Sequence, residues 1–504
     1  MLEYMHEKVN ARPPYELPDD FRLLPGETIT DVQTFPLYRP DIAPSSLEQM
    51  IRLTRAQIAS EIGKFGPSDA SRTLNENAPE HLKLYETLFG RDSLRTAADL
   101  IDDYPLLART TILELARLQG VDYHMAREEE PGRIVHEART PSDPIAQRLT
   151  AERGWGWPYY GTVDATPNYI RTLAAYCNLS EENHAFLAEE YTDRNGDRQT
   201  ITHSLEMALR WIEHRRAMNP EGLVEFKSEI ATGIENQVWK DSWDAYYHSD
   251  GTLANHAQGI ASIEVQVATY DALLDAAELF DAIIDEPKRA KKLRSQAESL
   301  KQTILTTFWT DEKGGYFVLG TDRDDTGTLR QLKLRTSNMG HVLNSRLLDD
   351  DNPLSTAMRA AVVHQLQTPE LLAHSGIRTV ATDEFRYRPG AYHNGSVWLW
   401  DTYYIAKGLA RHGYISQATD LTNRILSAVD ETHLFPEYVR GDTADHTSIN
   451  TQAIRLWDSI HNRENLVEQP PQEVQAWTVA AILAIRLQLS RDQQSSADSR
   501  LRSS

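Results

Sequence analysis

Two carboxylic acids stand where their surroundings could make them reactive: Asp241 in the run WKDSWD and Glu437 in LFPEYVRG. Trp239 and Trp243 flank Asp241 and would strip water from it, which favours the protonated form. Lys240 opposes that shift if it faces the same way. Asp244 shares a face with Asp241 in a helical turn, and an aspartate in such a turn also serves as a helix N-cap. Glu437 follows a proline in an apolar and aromatic loop, an unusual place for a merely solvated glutamate; a salt bridge to Arg440 is its other reading. Glu431, in the polar run VDETH, ranks below it. One acid that keeps its proton and one that is ionised are what cleavage of a glycosidic bond needs. The first protonates the leaving oxygen; the second activates water or attacks the sugar.

Five segments collect acids, aromatics and glycines: 89–94 (FGRDSL), 128–137 (EEEPGRIVHE) with 159–167 (YYGTVDATP), 236–251 (NQVWKDSWDAYYHSDG), 388–401 (RPGAYHNGSVWLWD) and 434–441 (LFPEYVRG). Trp155, Trp157, Trp239, Trp243, Trp398 and Trp400 all lie in or beside them. Indole and phenol rings offer flat faces to sugar rings, and Asp, Glu, Arg and Asn pair with vicinal hydroxyls. The bland reading of any single tryptophan is a plug at a helix end; for the whole set that reading is weaker.

Other chemistries find no footing. There is no GxSxG elbow, HExxH pair, phosphate loop or GxGxxG turn. His124, His136, His341 and His393 are scattered without metal-ligand spacing, so neither a metal nor a cofactor is expected. The lone Cys177 excludes an intramolecular disulfide and sits in an apolar stretch, as a core residue would. A net charge of −22 argues against nucleic acid, which needs a basic face. The charged N-terminus carries no apolar core of a signal peptide, and no run nears the length of a membrane span. A cytoplasmic protein acting on a small glycoside is expected, with a homo-oligomer left open.

Positioning such loops falls to helices. After a proline-rich, charged arm (1–45), apolar residues recur at helical spacing from Ser46 onward. Helices are predicted over 46–65, 104–119, 167–178, 201–217, 259–284, 287–308, 337–348, 353–366, 396–412, 414–430 and 472–490. The clearest strand is YFVLG (316–320), read as part of a short hairpin. About a dozen helices without an alternating β pattern, and without a repeat of solenoid length, predict an all-α fold: a closed barrel of six helix hairpins over 46–492, with pocket-building loops at one end. Residues 493–504 read as a polar tail.

The loops, taken in order, resemble the glucosidase domain of glycogen-debranching enzymes (amylo-α-1,6-glucosidases), the related glycoside hydrolase family 63 and, more distantly, glucoamylases. The resemblance rests on GRDSL, EEEPGRIVHE, YYGTVDATP, NQVWKDSWD with IASIEVQ, SNMGH, GIRTVATDEFRYRPGAYHNGSVWLWD, FPEYVRG and VQAW, and spans roughly 85–490. It implies an (α/α)6 barrel and an inverting mechanism, with Asp241 as general acid and Glu437 as general base. Arg91 and Asp92 would hold hydroxyls of the terminal sugar, and Asp164, Trp239, His393, Asn394 and Trp398 would line the same subsite. Tyr160, Lys240 and Gln266 complete the candidate set.

Two departures stand out. The family's NQGWKDS reads NQVWKDS, with Val238 for glycine, and HNGSVWPHD reads HNGSVWLWD, with Leu399 and Trp400 for proline and histidine. The chain also lacks room for the large N-terminal domains of many debranching enzymes, so a short α-glucoside such as glucosylglycerate is expected rather than glycogen. Two other readings stay open: a different sugar enzyme on the same barrel (an epimerase, phosphorylase or lyase), and a silent sugar-binding protein.

Overall fold

Ala290, Leu293, Ala297, Leu300 and Ile304 recur every three or four residues, the mark of a helix with one apolar face, and they are the buried positions of the helix Pro287–Thr307. That logic repeats along the chain. The computed structural model describes residues 69–72, 85–432, 434–442, 471–472 and 474–503, with the backbone of the paired strands Ala453–Asp458 and Arg463–Glu468. Among these residues there are twelve α-helices: α1 (Gly90–Asp99), α2 (Pro105–Leu118), α3 (Pro144–Arg153), α4 (Ala165–Cys177), α5 (Ile201–Ala217), α6 (Ile263–Ala282), α7 (Pro287–Thr307), α8 (Asn338–His341), α9 (Pro353–Leu366), α10 (Leu399–Arg411), α11 (Ile415–Thr432) and α12 (Ala476–Ser503).

Six of them close a ring. Helix α1 packs on α4, α4 on α6, α6 on α8, α8 on α10, α10 on α12, and α12 returns to α1. Side chains at matching heights along the ring helices meet one another. Arg91 pairs with Asp164 at the heads of α1 and α4. Lower down, Arg171 of α4 reaches Asp271 of α6, and Lys407 of α10 reaches Asp99 of α1. The ring helices therefore run parallel, and α2, α5, α7, α9 and α11 return between them. This is the expected (α/α)6 barrel.

The differences from expectation have physical causes. Helices α1 and α3 were not predicted. Seven of the ten residues of α1 are buried, Gly90 to Leu94 among them, but the helix is short and Leu94 is its only large apolar side chain, so no apolar repeat marks it. Helix α3 is short and starts from good local chemistry: Asp143 accepts from the amides of Ile145 and Ala146 at 2.8 and 3.2 Å ahead of Pro144. The predicted helix over 337–348 is instead one turn of α-helix followed by two 3-10 turns. It breaks at Ser345, whose extended backbone lets its hydroxyl cap the amide of Leu347 at 3.2 Å.

The stretch 316–320 divides between two sheets. Tyr316–Phe317 pairs with Trp309–Thr310, while Gly320–Arg323 joins Leu329–Leu332 and Ala261–Ser262. The final helix runs on through 493–503, the stretch read as a tail. The arm over 1–45 and the helix over 46–65 lie outside the described residues. Cys177 is buried, and burial pushes its thiol up to about 12, as suits a core residue. Among the described residues no helix is long and apolar enough to cross a membrane.

Candidate active site

The chemistry-bearing loops gather at the N-terminal ends of the ring helices. Asp241 sits on the loop between α5 and α6. Asn236 donates to the carbonyl of Ser242 (2.7 Å), Asn394 to that of Asp244 (3.0 Å), and the carbonyl of Gln237 accepts from the amide of Val163 (2.8 Å). Buried Arg133 braces this loop from below, with Nη2 on Gln237 (2.6 Å), Nε on the carbonyl of Thr162 (2.9 Å) and Nη1 on that of Glu128 (2.9 Å). Glu437 is fixed differently. Its loop exchanges backbone hydrogen bonds between Val397 and Val439 (2.8 and 2.9 Å), and its own amide donates to Gln472 O (3.0 Å). Gly441 brings this loop against the loop of His393: a side chain at Gly441 would meet the carbonyl oxygen of Gly395 at 1.7 Å, so only glycine admits the approach.

The two acids share one environment. Arg91, on the first turn of α1, places Nη1 on Asp164 (3.1 Å) and Nη2 on Asp241 (3.4 Å). Tyr392 donates its hydroxyl to Glu437 Oε1 (2.5 Å), and the amide of Gln472 donates to Oε2 (3.1 Å). Between them the rings form a wall. His393 takes hydrogen bonds at Nδ1 from the amide and hydroxyl of Ser242, stacks on Trp398, and meets Tyr392 at 4.4 Å. Trp239 packs edge-on against Trp400, His393 and Trp398, with centroids 5.1, 5.4 and 5.7 Å away.

Burial pushes the Asp241 carboxyl up to about 6 against the pull of Arg91. Burial lifts Glu437 to about 7 against the hydrogen bond from Tyr392. Asp92, which accepts from Gln475 at 3.2 Å, is carried by burial to about 7. His393, buried beside Lys240 and Arg91, is held well below the usual imidazole range and is neutral.

Two predictions arise here. A group that binds its proton more tightly folded than unfolded makes stability fall as pH rises from the unfolded value, near 4, through the folded one. For Asp92, Asp241 and Glu437 that window runs from about pH 4 to about 7. The thermal midpoint should therefore decline across it, and Glu437→Gln should raise the midpoint at pH 8; a lower midpoint in the variant would contradict the burial argument. Tyr392→Phe removes a hydrogen bond to the ionised form of Glu437, so the acid limb of any pH–rate profile should move upward. Turnover should fall by about tenfold or more, the worth of a hydrogen bond to a charged group. An unmoved acid limb would sever Tyr392 from the base.

A cavity of about 420 Å³ runs along the barrel axis beneath this wall, lined at its inner end by Arg91, Asp164, Trp239, Trp400 and Trp477 and open towards Ala175 and Asn178. Of the predicted site residues, Arg91, Asp164 and Trp239 line it; Asp92, Asp241, His393, Asn394, Trp398 and Glu437 cluster above. Three others spend their polar atoms on the protein. Tyr160 donates to Leu118 O (2.5 Å), Lys240 to Thr379 O (2.5 Å), and Gln266 clasps the backbone of Val224 through both amide atoms (3.0 and 2.8 Å). Sequence reasoning did not single out Tyr392, Gln472 or Gln475 as site residues. Tyr392 stood in a quoted motif, but nothing local says that its hydroxyl reaches a glutamate 45 residues away; the glutamines carry no local signal at all.

A model of the mannosylglycerate hydrolase MGH1-like glycoside hydrolase domain matches residues 152–454, about three-fifths of the 504 residues. The chain belongs to this family. As an MGH1-like glycoside hydrolase it is a glycosidase, and the match does not single out the glycogen-debranching side of the resemblance. Among solved structures, the family 63 mannosylglycerate hydrolase of Thermus thermophilus, in complex with Tris and D-glycerate, superposes with a TM-score of 0.56 at 14% identity, covering 86% of this chain and 98% of that one. The same enzyme in complex with glucose gives 0.54 at 13% identity, covering 87% and 99%. At such identities the likeness speaks for the barrel alone. Comparison with curated proteins returned no match.

Proposed function

We propose that this glycosidase is an inverting α-glycosidase that removes a terminal hexose, glucose first, from a small α-glycoside. Asp241 gives its proton to the glycosidic oxygen as the bond from that oxygen to the anomeric carbon breaks. A water oxygen bonds to the same carbon from the opposite face and yields its proton to Glu437. Both protons then re-equilibrate with solvent. The observation that carries the reading is the pair of acids on one aromatic-walled site, Glu437 buried and Asp241 partly open, with Arg91 against Asp241 and Tyr392 against Glu437.

Arg91, Asp92 and Asp164 supply the paired donors and acceptors that vicinal hydroxyls take. For the aglycone, the superposing Thermus enzyme holds D-glycerate in one crystal and glucose in another, which supports a glycerate-sized partner such as that of glucosylglycerate or mannosylglycerate. A panel of α- and β-linked glucosides and mannosides, including both glycerates and an α-1,6-linked disaccharide, tests the proposal with NMR following the first anomer released. The β-anomer from an α-linked substrate is expected. The α-anomer first would assign retention and remove the base role from Glu437; release from no member of the panel would refute the reading.

A further inference from the structure

A general acid must hold its proton when the substrate is in place, yet Asp241 has a guanidinium beside it. Besides the approach of its Nε to Asp92 at 3.8 Å, Arg91 grips two carboxylates through its terminal nitrogens, and unequally. It meets Asp164 through both oxygens, at 3.1 and 3.4 Å, whereas Asp241 receives a single contact at 3.4 Å, long for a charge-assisted hydrogen bond. Asp164 is itself pinned by the hydroxyl of Thr162 at 2.5 Å, and its side chain is only 6% exposed. Asp241 leaves 32% of its side chain open. The firm anchor is Asp164 and the yielding contact is Asp241.

We propose that Arg91 changes partners when a sugar arrives: a hexose hydroxyl takes the Nη2 contact away from Asp241, which then takes up from solvent the proton it delivers to the leaving oxygen. The proposal rests on the reading of the site as a hexose pocket. Arg91 has room for the change, because it lines the axial cavity that Asp241 does not reach. It also has a donor to spare, since its buried Nε finds no hydrogen-bond partner among the described residues.

Removing the cation changes the balance around Asp241 in one direction. The other groups acting on it or acted on by it are Asp92 on α1, Asp164 at the head of α4, Glu235 on its own loop, and Tyr392 and Glu437 on the facing loops. The carboxylates among them favour a protonated Asp241 once the guanidinium turns away, whereas the Tyr392 phenol, itself pushed well above its ordinary range, carries no charge. Arg91 is thus a positioning residue that couples recognition of the terminal sugar to arming of the acid.

The test is an infrared titration of the whole enzyme, reading the protonated-carboxyl band of Asp241 as wild type minus D241N, with and without saturating glucose or mannose. Calorimetry establishes separately that the sugar is bound. In wild type the midpoint should rise by about one unit on sugar binding, the low end of what a neighbouring arginine is worth. In R91Q it should start high without sugar and stay there; R91K, which keeps the charge, should start near wild type and guards against a folding defect in R91Q. A bound hexose that leaves the wild-type midpoint in place overturns the switch and spares the hexose pocket. Failure of both hexoses to bind removes the pocket reading and the switch together.

Discussion

Asp241→Asn should lower turnover of an alkyl α-glucoside by about 10²–10⁴-fold, the range that a positioned proton donor contributes, while a glycosyl fluoride remains a good substrate. The contrast follows from the leaving group. An alkoxide needs a proton as the bond breaks; fluoride leaves well without one. Amide for carboxyl is nearly isosteric, so the loop held by Asn236 and Asn394 and the Asp164–Arg91 pair should persist. Equal losses on both substrates would deny Asp241 the role of acid. The basic limb of the wild-type profile should disappear in the variant, because the group whose deprotonation produces it is gone.

Glu437→Gln should cost at least as much, and on both substrates, because water must lose a proton whatever leaves. A glutamine can still accept from the amide of Gln472 through its one carbonyl oxygen and donate its NH2 to the Tyr392 hydroxyl, so the loop stays in place while the basicity goes. Selective loss on the alkyl glucoside, with the fluoride spared, would exchange the two roles. Added azide, a small nucleophile that needs no base, should restore part of the fluoride reaction in Glu437→Gln and none of it in Asp241→Asn. Because the same substitution removes a buried ionised group, the variant should be inactive and more stable at pH 8, a trade-off common at active sites.

The proton inventory of the site bears on both results. Burial raises Asp92, Asp241 and Glu437 alike. Single-variant profiles separate them.

How much of this was legible beforehand differs by element. Outer helices such as Pro287–Thr307 and Pro353–Leu366 were placed within a residue at either end, because one face is apolar and the ends carry proline at the first position. The inner helix Gly90–Asp99 carries no apolar repeat to read, because its ten residues include one large apolar side chain, Leu94. Its residues Arg91 and Asp92 were nevertheless picked out, through the ordered loops of the resemblance. Tyr160, Lys240 and Gln266 belonged to the same motifs, but their polar atoms close on Leu118, Thr379 and Val224. Proximity along the chain to a catalytic loop says little about which way a side chain turns.

The amino-acid sequence by itself determined the helical hairpins, the order of the loops and the two candidate acids, because helix periodicity and the chemistry of aromatic and carboxylate residues are local properties. Only the tertiary structure decided that Arg91 lies between Asp164 and Asp241, that Tyr392 and Gln472 hold Glu437, and that an axial cavity lies beneath Trp239. Those contacts join residues up to 150 positions apart. They exist only once the ring of helices closes and brings the heads of its parallel members together.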